Sequence, residues 1–171
     1  MAEPGRPGLA VAVMGVSASG KSTMGRKLAD ALGAAFLDAD DYHSAANVRK
    51  MAAGIPLTDD DRRPWLDAVG AALAEAARST GVVVACSALR RAYRDRLRAA
   101  VPGLAFIHLA APEPELAGRA EHRKGHFMPS SLLDSQYATL EPLQPDERGL
   151  TLDATSPVPE LVADASRWLR R

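Results

Sequence analysis

Eight consecutive residues, Gly15-Val16-Ser17-Ala18-Ser19-Gly20-Lys21-Ser22, fit the pattern G-x-x-x-x-G-K-[ST], and Thr23 extends the loop by a second hydroxyl. The chemistry of that spacing is capture of a polyphosphate. Its glycines let the main chain wrap close to phosphate oxygens, and amides at the start of the following helix point inward. Lys21 supplies a mobile positive charge and Ser22 a hydroxyl for Mg²⁺. The context agrees, because the apolar run from Leu9 to Met14 precedes the loop directly and a helical run follows it. A second group lies in the stretch from Phe36 to His43, where Asp38, Asp40 and Asp41 close another apolar run. Asp38 can hold Mg²⁺ through water, and Asp40 can accept a substrate hydroxyl and align it for in-line attack. Such acids also suit an ordinary helix start, where Asp caps the helix and complements its dipole. The phosphate loop upstream tips the balance toward chemistry.

Arg119 and Arg123 are four residues apart, so a helix would put both on one face, either a solvated basic face or, with the phosphate loop upstream, a pair able to swing onto a phosphoryl group as its charge spreads. Arg62 and Arg63 suit either a solvated helix start paired with its own acids or a site; being adjacent they do not share a helix face, so at most one of them should enter a site. His122 and His126 have metal-like spacing, but Gly125 interrupts the helix between them and no Cys or carboxylate completes a ligand set there. Cys86 ends an apolar run with no base beside it, which reads as a packed thiol rather than a nucleophile.

These residues need a scaffold, and the rest of the sequence describes one. Five short apolar runs, Leu9 to Met14, Ala35 to Asp38, Val82 to Cys86, Leu104 to Leu109 and Leu150 to Asp153, are nearly continuous in hydrophobicity, as strands buried on both faces are. Helical spacing fills the gaps: Lys21 to Leu32, Asp59 to Ser79, Leu116 to His122, Ser130 to Leu140, and Val158 to Leu169 with Ser156 as its cap. The alternation predicts a three-layer α/β domain spanning residues 9–171, with residues 1–8 a flexible tail. The proline-bounded, partly basic segment 112–145 is a candidate lid. At 171 residues the chain suits one domain. Lys plus Arg and Asp plus Glu number 21 each, so no global field favours nucleic acid or anionic lipid. No stretch approaches the roughly 18 apolar residues of a membrane span. A single cysteine forms no intrachain disulfide, and a reducing cytoplasm fits best.

Further motifs accompany the phosphate loop: Leu37 to His43, Asn47 with Lys50-Met51, Gly54 to Leu57, and Asp61-Arg62-Arg63-Pro64-Trp65-Leu66. After them come Cys86 to Arg91, Tyr93-Arg94-Asp95, Leu97-Arg98, Gly125 to Met128, Leu132-Leu133, Ser135-Gln136 and Thr139 to Pro142. Together they resemble the gluconokinase family of small P-loop kinases. The resemblance implies a nucleoside-monophosphate-kinase-like fold with a five-stranded parallel sheet and a helical lid, often as a homodimer. It also implies ATP and Mg²⁺ as cofactors and transfer of phosphate to the terminal hydroxyl of D-gluconate. The product, 6-phospho-D-gluconate, would feed the pentose phosphate or Entner-Doudoroff route.

Gluconate is a polyol with a carboxylate, so its site needs a cation at one end and hydrogen-bonding groups along the chain. Arg62 is the favoured contact, with His43, Lys50, Ser87, Arg91 and Gln136 at other positions matching family motifs, beside Asp40. Lys21, Arg119 and Arg123 would neutralise the transferring phosphoryl group. The segment from Thr151 to Thr155 resembles the one that contacts adenine in these kinases. Ala18 and Ala39 stand where the family usually has Gly, and a positive φ at Ala18 would cost of order 1 kcal/mol. Shikimate and adenylylsulfate kinases are the rival enzymes; Cys86-Ser87-Ala88 departs from the glycine run of the former. A nucleotide-driven switch is the rival of another class, but no Asn-Lys-x-Asp guanine-reading motif is present.

Overall fold

Strand β1 (Ala10–Met14) is buried along its whole length: Val11 and Val13 face one side of the sheet, while Ala10, Ala12 and Met14 face the other. A strand covered on both faces belongs in the middle, and β1 has a parallel neighbour on each side. The computed structural model describes residues 6–122 and 130–171. Within them β2 (Ala35–Asp38), β3 (Val82–Ala85), β4 (Ala105–Ala110) and β5 (Gly149–Asp153) complete a parallel sheet in the order β2-β3-β1-β4-β5. All five strands fall within about a residue of the apolar runs read from sequence.

Helices cover both faces. On one, α1 (Lys21–Leu32) and α7 (Val158–Leu169) bury Met24, Leu28, Leu32, Leu161, Ala165 and Leu169 against Val11, Val13, Val83 and Ile107. On the other, α3 (Asp59–Ala77) and α4 (Arg91–Ala100) bury Trp65, Leu66, Val69, Leu73, Tyr93 and Leu97 against Ala12, Met14, Val84 and Phe106. The chain therefore leaves β1 toward one face and the adjacent β3 toward the other. Their loops diverge above the carboxyl ends of the strands, which is where open α/β sheets form a ligand crevice. A third apolar cluster, Val16, Leu89, Leu116 and Leu133, joins the loops after β1 and β3 to α5 (Glu113–His122) and α6 (Ser130–Thr139).

Three features depart from the sequence reading. Helices α2 (Ala45–Ala52) and α4 were not expected. In α4 only Tyr93 and Leu97 are buried apolar positions, and its four arginines pair with Asp146, Glu147 and Asp67, partners distant in sequence that no periodicity reveals. In α2 the one buried residue is Asn47, so it has no apolar stripe to read. The cap of α7 is Pro157, with no side-chain hydrogen bond, rather than Ser156, because the backbone is still extended at residue 157. Within the expected tail, Arg6 N donates to Thr80 O at 3.1 Å and Gly8 N to Ala77 O at 2.7 Å, tying the residues before β1 to the turn after α3.

Candidate active site

The loop between β1 and α1 turns on residues with positive φ. Gly15 has φ +150°, and a Cβ there would lie 2.8 Å from Leu109 O and 2.9 Å from Ser19 Oγ, so no other residue fits. Gly20, at φ +92°, forms the left-handed entry to α1. Between them Ala18 has φ +66°, so the conformational cost anticipated for a positive φ at this position applies. Ala39 carries no such cost: it is buried in the turn Ala39–Tyr42, and its carbonyl accepts the indole N–H of Trp65 at 2.7 Å.

The loop is built for an anion. Lys21 Nζ folds back to Val16 O at 3.1 Å, and the buried Ser19 Oγ has no hydrogen-bond partner among the described residues. Ser22 Oγ donates to Asp38 Oδ2 at 3.1 Å, while Asp38 Oδ1 accepts the amide of Asp40 at 3.0 Å. A hydroxyl and a carboxylate side by side are the hard oxygen donors Mg²⁺ prefers. The residues expected to hold metal are thus adjacent and suited to it.

Next to this loop is a cavity of about 100 Å³, lined by Ser17 and Lys21 from the loop, Asp40 and His43 after β2, Arg62 and Trp65 of α3, Ser87 after β3, Tyr93 of α4 and Gln136 of α6. Gln136 Oε1 accepts the amide of Ser17 at 2.7 Å and so links α6 to the phosphate loop. Arg62 and Arg63 divide as their adjacency requires. Arg62 is 16% exposed and donates to Tyr93 Oη at 3.0 Å, whereas Arg63 turns outward to Asp60. The His43 ring stacks on Trp65 with centroids 4.2 Å apart. Burial lowers its pKa, with nearby Asp40 opposing the shift and Arg62 adding to it.

Two residues expected at the sugar site are engaged elsewhere. Lys50 bonds Asp61 Oδ2 at 2.7 Å, which with the Thr58 amide holds that carboxyl down at about 2. Arg91 forms a two-pronged pair with Asp146 at 2.6 and 2.7 Å and also donates to Gln144, tying α4 to the segment before β5. Their partners lie 11 and 55 residues away in sequence, so spacing gave no sign of them. Conversely, Trp65 and Tyr93 line the cavity although only their presence in family motifs marked them.

A second, more open cavity of about 600 Å³ lies on the other side of the loop, lined by Ala18, Ser19, Gly20, Thr23, Arg119, Ala154 and Ser156. It brings the segment expected near adenine up to the phosphate loop. Arg119 Nη2 donates to Ala154 O at 3.0 Å there. Arg123 and His126 lie outside the described residues. Cys86 is buried at the carboxyl end of β3, and burial pushes its thiol up to about 12, as a packed thiol requires.

Residues 11–143 match a family model described as an AAA domain. The thermoresistant gluconokinase of Escherichia coli (strain K12) is 41% identical over 161 residues, covering 93% of this chain and 92% of its own. The chain belongs to the gluconokinase family. A gluconokinase of Gluconobacter oxydans (strain 621H) is 48% identical over 136 residues, 79% of this chain and 76% of its own. The crystal structure of a gluconokinase from Sinorhizobium meliloti 1021 superposes with a TM-score of 0.88 at 50% identity, over 97% of this chain and 94% of that one. The three-layer P-loop kinase fold expected for a gluconokinase is therefore the fold observed.

Proposed function

We propose that this chain transfers the γ-phosphoryl group of ATP to the terminal hydroxyl of D-gluconate, giving 6-phospho-D-gluconate and ADP. The observation that carries the reading is one cavity in which Lys21 and Ser17 of the phosphate loop face Asp40, His43, Arg62, Ser87 and Gln136, in a chain of the gluconokinase family. The acceptor oxygen bonds to the γ-phosphorus, the bond from phosphorus to the β–γ bridging oxygen breaks, and the hydroxyl proton passes toward Asp40. The Asp40 side chain is 83% exposed and lines the cavity, with its Oδ1 4.0 Å from His43 Nε2. Arg62, held by Tyr93, meets the sugar-acid carboxylate or a hydroxyl.

Ser22 would bind Mg²⁺ directly and Asp38 through water; bound there, the ion neutralises charge on the phosphate oxygens. The loop amides and Lys21 grip the phosphates, and Arg119 with Arg123 meets the charge that spreads over the transferring group. Segment 112–145 acts as the lid that excludes water, its base fixed by the apolar cluster around Leu116 and Leu133. On the family resemblance and the single buried thiol we also place the enzyme, as a homodimer, in the cytoplasm.

The test is ADP release with MgATP against gluconate, gulonate, glucose, shikimate and adenylylsulfate, with a no-acceptor control. Stimulation by gluconate well above the other four is expected. Silence across the panel with ATP still bound would overturn the reading.

A further inference from the structure

Asn47 of α2 is 4% exposed and has no part in the assignments above. Its Nδ2 donates to the main-chain oxygen of Asp61 at 3.0 Å. A carbonyl oxygen only accepts, so this bond fixes which end of the amide faces Asp61. The same nitrogen lies 3.3 Å from His43 Nδ1. An amide nitrogen only donates, so a hydrogen bond across this contact takes His43 Nδ1 as the bare, accepting atom and puts the ring proton on Nε2. Burial lowers the ring's pKa and so favours the neutral form, with one proton to place. The ring cannot turn away easily: it lies 4.2 Å from Trp65 at an interplanar angle of 14°, and Trp65 is anchored to Ala39 O.

The other edge of the imidazole faces the cavity. His43 Nε2 and Asp40 Oδ1 are 4.0 Å apart, and both residues line it. That gap is too long for a hydrogen bond but is the span that one hydroxyl oxygen bridges. An oxygen about 2.8 Å from each atom would make its two bonds at roughly 90°, near the geometry a hydroxyl prefers.

We propose that His43 Nε2–H and Asp40 straddle the acceptor hydroxyl, the first donating to one of its lone pairs and the second accepting its proton, and that Asn47 is the positioning residue that sets the tautomer this requires. The second lone pair then remains for phosphorus. Only a group that both accepts and donates fits between them, so the subsite selects a hydroxyl over a carboxylate, which would meet Asp40 charge to charge. This deepens the gluconate reading and rests on it.

The experiment is ¹⁵N NMR of the full chain with labelled histidine, His43 being identified by its loss in His43→Gln, alongside kinetics. The expected wild-type signature is a bare Nδ1 and a protonated Nε2; a protonated Nδ1 at neutral pH overturns the inference. Asn47→Asp should draw the proton to Nδ1 and lower kcat/KM for gluconate about tenfold or more, with KM for ATP unchanged. His43→Gln, which retains an N–H donor, should keep more of that activity than His43→Leu. Equal losses in the two, or full kcat/KM in an Asn47→Asp chain whose tautomer has reversed, would overturn it as well. Failure of the gluconate reading looks different: no gluconate-stimulated ADP release by the unaltered chain, with the imidazole signature intact.

Discussion

Ala18 holds a left-handed conformation that an L side chain adopts only at a cost, inside the loop that must grip phosphate. Ala18→Gly should therefore stabilise the fold by about 1 kcal/mol, read as a higher urea midpoint. Ala39→Gly should go the other way by about 0.5–1 kcal/mol, because Ala39 has no positive φ to relieve and glycine only adds freedom to the unfolded chain. The chemistry is positioning and charge neutralisation, so Lys21→Ala and Asp40→Asn should each lower kcat by orders of magnitude while the circular dichroism spectrum and unfolding midpoint stay near wild type. An Asp40→Asn chain with near-full kcat would remove Asp40 from its role. At this scale the sequence was most informative where spacing carries the chemistry. The phosphate loop, Asp38 beside Ser22, and the split between Arg62 and Arg63 follow from position alone. Arg91 and Lys50 did not, because an ion pair closed by the fold leaves no trace in local spacing.

Helix α4 is one of the two helices that sequence periodicity missed, and it organises the rear of the site. Arg94 is fully buried and donates to both oxygens of Glu147 at 2.7 and 3.0 Å, to Ala88 O at 2.9 Å and to Pro142 O at 3.3 Å. One guanidinium thus fixes the loop that carries Ser87 and the segment that returns from α6. Burial pushes the Glu147 carboxyl up, but bonds from Arg94, the Gln144 amide and Arg98 outweigh it and hold it at about 2. Its pKa is therefore lower folded than unfolded, so its stabilisation is complete above the usual glutamate value and is lost as pH falls toward 2. Glu147→Gln should flatten the decline in unfolding midpoint across that acid window relative to wild type. Arg94→Met leaves the buried carboxylate with only Arg98 and the Gln144 amide and should cost about 3 kcal/mol at pH 7, read by denaturant unfolding. Strands β1, β3 and β4 were legible because burial on both faces leaves an unbroken apolar run; α4 was not, because charge pairing rather than an apolar stripe secures much of its surface.

Across the whole molecule, zero net charge means that an anionic substrate is drawn by local groups, not by a long-range field. The parallel order β2-β3-β1-β4-β5 supplies those groups by bringing the loops after β1, β2 and β3 together above one end of the sheet. In the proposed reaction the larger cavity, beside Ala154 and Ser156, takes the nucleotide and the smaller, beside Asp40 and Arg62, takes the acceptor. The three-layer domain was legible from the alternation of strands and helices, whereas the shape of the smaller cavity depends on contacts among α2, α3 and α4 that only the fold creates. The most direct test of the central claim is ³¹P NMR of the product formed from MgATP and D-gluconate. We predict a phosphomonoester coupled to the two protons of a terminal CH₂, appearing in step with ADP. A phosphate coupled to a single CH proton, or inorganic phosphate alone, would contradict it.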